Sequence, residues 1–144
     1  MTRQFRITIA ASTLKSSVAT GWAASISEGF EQMGELSDWD ARMTLNEALL
    51  TGIIRCLQEI PEWSEIEVIS NNKYIMEGLG KYLITWSRNG WRKTDGSPIA
   101  HKALWQQLDA MLANHQAIKA THQDDGLVRQ LFKIAKLART KMEL

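Results

Sequence analysis

The chain predicts an α/β fold on a mixed five-stranded sheet, three antiparallel strands first and helix-separated strands later, with helices flanking the sheet. Three observations predict it. Residues 5–36 read as strands with no helical period between them. A helix-start signal then appears at Thr44. Beyond it, short apolar runs alternate with helical patterns, as expected when strands are joined by crossovers rather than hairpins. Periodicity by itself is compatible with more than one α/β fold.

The elements follow in order. Phe5, Ile7, Ile9 and Ala11 alternate with Arg6, Thr8 and Ala10, the pattern of a strand with one buried face. A second strand is expected around Trp22–Ile26 and a third around Glu28–Leu36. Thr44 and Glu47 form a T-x-x-E capping box, and Leu45, Leu49, Ile53, Leu57 and Ile60 follow at helical spacing until Pro61 stops the helix. Ile66–Ser70 is a short apolar strand, ended by Asn71 or Asn72 capping a helix from Lys73 to Trp86. Gly78 and Gly80 weaken that helix. Lys102–His115 is a further helix, with Leu104, Trp105, Leu108, Met111 and Leu112 inward. Ala117–Thr121 is a last strand and Leu127–Lys141 a basic amphipathic helix.

At 144 residues, without repeats, low-complexity segments or a long linker, the chain is expected to form one domain, 1–144. Apolar content of 44% and charged content of 23% suit a water-soluble protein, and no apolar run approaches membrane-spanning length. The N-terminus lacks the apolar stretch of a secretory signal, so a cytoplasmic protein fits. Cys56 is alone, which excludes an internal disulfide, and its place on an apolar helix stripe marks it as a buried thiol. The net charge of +1 conceals a segregation. Residues 1–27 carry only bases (Arg3, Arg6, Lys15), residues 28–67 carry ten acids against Arg42 and Arg55, and residues 68–144 carry twelve bases against six acids. A surface polarised in this way can steer an anionic partner to one face.

From Asn72 to Trp105 the chain reads NKYIMEGLGKYLITWSRNGWRKTDGSPIAHKALW. The placing of Tyr74, Gly78, Trp86, Gly90-Trp91-Arg92-Lys93 and Leu104-Trp105 resembles the helical, basic middle section of bacterial type 1 ribonuclease H. Leu104-Trp105-Gln106-Gln107-Leu108-Asp109-Ala110 with His115-Gln116 is similar to that family's next helix. Arg42-Met43-Thr44-Leu45 is similar to its R-M-E-L, Thr20–Ala24 to its second strand, and His122 to a loop histidine before its last helix. The resemblance implies a ribonuclease H-like fold over most of the chain. It also implies a family activity, cleavage of the RNA strand of RNA–DNA hybrids by metal ions held on four carboxylates.

The positions matched to those carboxylates are mostly not acidic. The T-D-G-S of the family's first strand corresponds to the stretch around Ala10-Ala11-Ser12-Thr13, and its D-S-Q-Y to Asn71-Asn72-Lys73-Tyr74. The fourth carboxylate, ten residues past the histidine, falls on Phe132, with only Leu131, Lys133 and Ile134 nearby. The helix glutamate becomes Thr44 in a literal match or Glu47 after a shift of three residues, and Glu47 already has a structural role in the capping box. Hard divalent cations need several converging oxygen ligands, which one carboxylate does not provide. No metal site is therefore expected, and Mg²⁺ only if Asp124 and Asp125 beside His122 build a relocated one. Adjacent acids before a glycine are more commonly a turn or helix cap. His101 and His115 are too dispersed for a zinc site.

The binding surface implied by the resemblance is better kept. Lys73, Lys81, Arg88, Arg92 and Lys93, with Lys102, are opposed only by Glu77 and Asp95, and Trp86 and Trp91 are interleaved. In the family this basic protrusion grips the DNA strand of the hybrid; cations meeting phosphates add salt-dependent affinity. The indole rings either pack helices together or meet the nucleic acid. Lys119, Lys133, Lys136 and Arg139 are candidates to extend the basic face. The family's glycine-rich stretch, which approaches RNA sugars, is replaced by Leu14–Ala19. Three readings remain open. The first is a catalytically inactive homologue that binds nucleic acid, hybrid or duplex. The second is a protein–protein module using the acidic 28–67 region with exposed Trp39 and Trp63, and the third an active nuclease with relocated ligands.

Overall fold

The structure is a computed structural model that describes residues 2–13 and 19–140. Within them run β1 (Gln4–Thr13), β2 (Thr20–Glu28), β3 (Glu31–Asp40), α1 (Leu45–Leu57), β4 (Glu65–Ser70), α2 (Lys73–Glu77), a π turn (Gly78–Tyr82), α3 (Leu83–Arg88), α4 (Lys102–Leu112), β5 (Ala117–His122) and α5 (Gly126–Thr140). The sheet has the order β3-β2-β1-β4-β5. β1–β2 and β2–β3 pair antiparallel, β1–β4 and β4–β5 parallel, so the sheet is mixed as expected. No described helix is long and apolar enough to cross a membrane.

The alternation along β1 decides which residues face which layer. Phe5, Ile7, Ile9 and Ala11 enter the larger core beneath α1, with Leu49, Leu50, Ile53, Val68, Trp105 and Leu108. Ala10 faces the other way, toward α5. β2 is buried from Thr20 to Ile26 because helices cover both of its faces. Each large aliphatic chain so enclosed stabilises the fold by about 1.5–3 kcal/mol. The capping box forms as expected: Thr44 Oγ1 accepts from Glu47 N at 3.2 Å and Glu47 Oε1 from Thr44 N at 3.4 Å. Cys56 is sealed in the core, and burial pushes its thiol up to about 12.

The structure corrects several boundaries. β3 begins at Glu31, not Glu28, and runs to Asp40; a Gly29–Phe30 turn with Gly29 at φ +62° separates it from β2. Its ends were hard to read because an edge strand lacks a buried face to impose alternation. The predicted helix over 73–86 is three pieces: in the π turn Leu83 N reaches back to Gly78 O, adding a residue to the turn. Gly78 lies where the chain meets Trp105, and a Cβ there would stand 2.3 Å from the indole. α4 ends at Leu112 rather than His115. The expected helix end at Lys141 lies outside the described residues, as do Leu14–Val18 and Lys15 among them.

Candidate functional site

The residues matched to metal ligands are brought to one end of the sheet but do not make a ligand set. Ala10 is 1% exposed and packs with Ala23, Ile69, Val128, Leu131 and Ala135. This is a buried apolar cluster, in which an ionised group would lose hydration without a partner. α5 can lie this close because Gly21 has no side chain: a Cβ there would meet Ala135 O at 2.1 Å. Phe132 is 43% exposed and stands outside the cluster; the α5 residues that join Ala10 are Val128, Leu131 and Ala135, none of them acidic. Asn71 is exposed just past β4, and its backbone carbonyl lies 3.1 Å from His122 Nε2. A carbonyl only accepts, so Nε2 carries the proton of that hydrogen bond. The side chain that caps α2 is that of Asn72, whose Oδ1 accepts from Ile75 N at 2.9 Å.

The remaining acids are occupied by the fold or isolated. Glu47 closes the capping box. Asp125 Oδ1 accepts from Val128 N at 2.9 Å at the start of α5, and its carboxylate also takes a short bond from Gln123. The Val128 N–H holds the Asp125 carboxyl below the ordinary aspartate range, with help from Gln123. Asp124 is exposed. Among the described residues no three His, Cys, Asp or Glu side chains gather as a metal-holding group. These residues do not fit a two-metal centre, whose cations need several converging oxygens.

The basic protrusion is built on packing. Trp86 meets Trp105 edge to face at 5.2 Å between ring centroids and stacks on Tyr82 at 5.8 Å. Trp91 is half-buried against the same core, at φ +64°. Both indoles therefore anchor the protrusion. Beyond Trp91 the chain folds back, with Lys93 N donating to Ser97 O at 2.8 Å and Arg92 Nη1 to Gly96 O at 3.2 Å. Asp95 Oδ1 accepts from Ser97 Oγ at 2.6 Å and Ser97 N at 2.9 Å, bonds that hold its carboxyl below the usual range. Lys81, Arg88, Arg92, Lys93 and Lys102 are exposed. Lys73 is exposed too, with Glu77 at 3.8 Å.

The suggested extensions of this face separate in space. Arg139 is 5% exposed and donates from Nε to Ser12 Oγ at 3.1 Å, so it belongs to the packing of α5 on β1 and not to a basic surface. Lys119 lies 3.9 Å from Glu67, which also accepts from Arg6 at 3.1 Å and Thr121 at 2.8 Å. Burial alone would raise the Glu67 carboxyl, but the bonds from Thr121 and Arg6 and the nearby cations outweigh it and lower it. Lys133 and Lys136 are exposed on α5, across the sheet from α1 and the helices that carry the protrusion. Arg129, absent from the basic set expected from sequence, shares that outer face of α5; its one-turn spacing from Lys133 was the available signal. In the acidic region Trp63 is 62% exposed, whereas Trp39, expected on the surface, is half-buried.

The chain was compared with known proteins. The RNase H family model matches residues 7–123. Ribonuclease H of Thiobacillus denitrificans is 34% identical over 100 residues, covering 69% of this chain and 67% of that protein. Ribonuclease H of Pseudomonas syringae pv. syringae is 32% identical over 96 residues, or 63% of its length, so the match spans about two thirds of such relatives. Among solved structures, the foamy viral protease-reverse transcriptase in complex with dsDNA is similar with a TM-score of 0.77 at 15% identity, covering 96% of this chain and 94% of that one. LC11-RNase H1 in complex with RNA/DNA hybrid gives a TM-score of 0.72 at 13% identity, covering 97% and 99%. At such identities these structures establish the fold, which is ribonuclease H-like.

Proposed function

The chain belongs to the RNase H family, and we propose that within it this protein binds nucleic acid, RNA–DNA hybrid or duplex, without cutting it. One observation carries the reading: an exposed basic protrusion persists while the position matched to the first metal ligand is Ala10, inside an apolar cluster. Lys73, Lys81, Arg88, Arg92 and Lys93 meet phosphates, and Trp86 and Trp91 hold them in place from behind. The carboxylates that would bring metal ions to the scissile phosphate are missing, so binding needs no cofactor and Mg²⁺ has no resident role. The homologue named as bound to RNA/DNA hybrid supports the substrate class. The protein is read as one domain acting in the cytoplasm.

The test is a labelled RNA–DNA hybrid beside duplex DNA and duplex RNA, over a salt series with Mg²⁺ present. The expected result is binding that weakens by about 0.9 log units per contacted phosphate for each tenfold rise in salt, with the strands intact. No binding to any of the three overturns the reading. Mg²⁺-dependent cleavage abolished by Glu47→Gln or Asp125→Asn replaces it with a nuclease of relocated ligands. A second reading, a protein-interaction module, is favoured by the exposed Phe30, Met33 and Trp63 within the acidic region.

A further inference from the structure

The α1 side of the sheet carries a groove of about 430 Å³ that the proposed nucleic-acid surface does not use. One wall is β3 from Met33 to Leu36, and the other is the chain leaving α1 at Glu59 and Pro61. Phe5, Ile26 and Leu36 supply an apolar lining. The groove lies by the β3 edge of the sheet, whereas the π turn leading to the protrusion packs near β5, at the opposite edge. Four strand spacings, about 19 Å, separate those edges.

The charges in the groove are not balanced. Arg3, the one lining cation among the described residues, donates to both carboxylate oxygens of Glu28 at 2.7 and 2.9 Å and lies over the Phe5 ring. Glu59 stands in the lining, while Glu35, between Gly34 and Leu36 on the edge strand β3, turns its side chain to the α5 face; neither has a salt bridge among the described residues. The C-terminal end of α1 adds its own partial negative charge beside Glu59. Met33, on the wall, is 53% exposed, and Phe30, in the turn before β3, is fully exposed. The outer edge of β3 pairs with no described strand. Acidic side chains on an edge strand guard against unwanted strand pairing. That accounts for Glu31 and Glu35. It does not account for the groove left open beside them, or for Glu59 on a different element.

We propose that this groove docks an extended segment of a partner protein in which an apolar anchor is flanked by lysine or arginine. The anchor fills the space between Met33 and Pro61; because side chains of an added strand alternate between faces, a flanking cation falls on the opposite face beside Glu35, and a cation beyond the anchor meets Glu59. Backbone hydrogen bonds to the free edge of β3 set the direction of the segment. The carboxylates act chiefly as a filter, since an acidic segment would bring like charges together. The inference does not depend on nucleic-acid binding.

The probe is a labelled peptide alternating lysine with leucine, titrated against the full chain and followed by fluorescence anisotropy. Two control peptides carry serine for leucine or aspartate for lysine. The expected result is affinity at least about tenfold above both controls, or 1.4 kcal/mol. Amide shifts in an NMR spectrum should fall at Ile26, Met33, Leu36 and Glu59. The doubly reversed variant Glu35→Lys, Glu59→Lys should lose that advantage and keep its nucleic-acid affinity, and Met33→Ser, which leaves the charges alone, should weaken binding several-fold. Equal binding of the serine or aspartate peptide overturns the proposal, as do shifts scattered over other acidic residues. Self-association in sedimentation that the double variant abolishes overturns it in favour of a second copy of this chain.

Discussion

The Ala10 cluster and the basic protrusion sit on the same sheet and have kept opposite things. Around Ala10 the architecture of a site remains, with strand ends, a loop histidine and a closely packed α5, but the interior is apolar. On the protrusion the charged side chains remain exposed and the aromatic ones have structural work, Trp86 against Trp105 and Trp91 against the core. Metal chemistry requires several specific side chains to converge within a few ångströms, so the loss of two or three ends it. Phosphate binding sums many weak, loosely positioned contacts and survives partial change. The proposed function rests on this difference in what each task tolerates.

The sharpest way to break this comparison is Ala10→Asp. A lone carboxylate in the cluster should cost on the order of 3–5 kcal/mol when ionised. Its folded-state pKa would rise, so the variant should be least impaired below the ordinary aspartate pKa of about 3.9 and lose stability as pH climbs through the raised value. Urea unfolding across pH checks this, and a variant of unchanged stability would mean that the cluster is neither buried nor apolar. Gly78→Ala comes next: its methyl would press on Trp105, costing about 1–3 kcal/mol and disturbing the base of the protrusion. Thermal melts should show the loss, and hybrid affinity should fall with it.

Smaller effects sharpen the contrast. Thr44→Ala should cost about 1 kcal/mol through the lost cap, whereas Glu47→Gln, which preserves a capping-box partner, should change stability by only a few tenths of a kcal/mol. A Glu47→Gln loss as large as that of Thr44→Ala would show that the glutamate's charge matters beyond the cap. Arg88→Ala, Arg92→Ala and Lys93→Ala should each lower the salt slope of binding by about one while leaving stability within about 0.5 kcal/mol. Unchanged slopes in all three would move the binding surface elsewhere. The smallest effect belongs to Asp125. Its lowered pKa contributes stability present above the unfolded value and lost as pH falls through the folded one. Asp125→Asn should flatten that acidic limb in pH-dependent melts.

Much of this was legible in the sequence because it is local. The capping box of Thr44 and Glu47 is encoded within a few residues and the structure keeps it. β1 forms with its alternation of faces, but both faces are buried from Ile7 to Ser12 instead of one, and α1 ends at Leu57, short of the expected stop at Pro61. The family resemblance was legible too, since it rests on spaced tryptophans and glycines between Tyr74 and Trp105. Gly78 was read only as a helix weakener, although its role is to admit Trp105, 27 residues away along the chain. The count from His122 to Phe132 assumed a fixed spacing, but the turn of α5 decides which of its side chains face Ala10, and Phe132 is not among them.

The sequence by itself determined the kinds and order of the elements, the charge segregation and the absence of acids at three of the four matched positions. Those are properties of neighbouring residues and of composition. Only the tertiary structure decided that Ala10 lies in a sealed apolar cluster, that Trp86 and Trp91 brace the protrusion, that Arg139 is buried and that an acidic groove opens beside β3. Arg139 reaches Ser12 across 127 residues, and the groove joins β1, β2, β3 and the end of α1. No local period encodes such meetings, because burial and charge pairing depend on which surfaces the strand pairing and helix packing bring face to face.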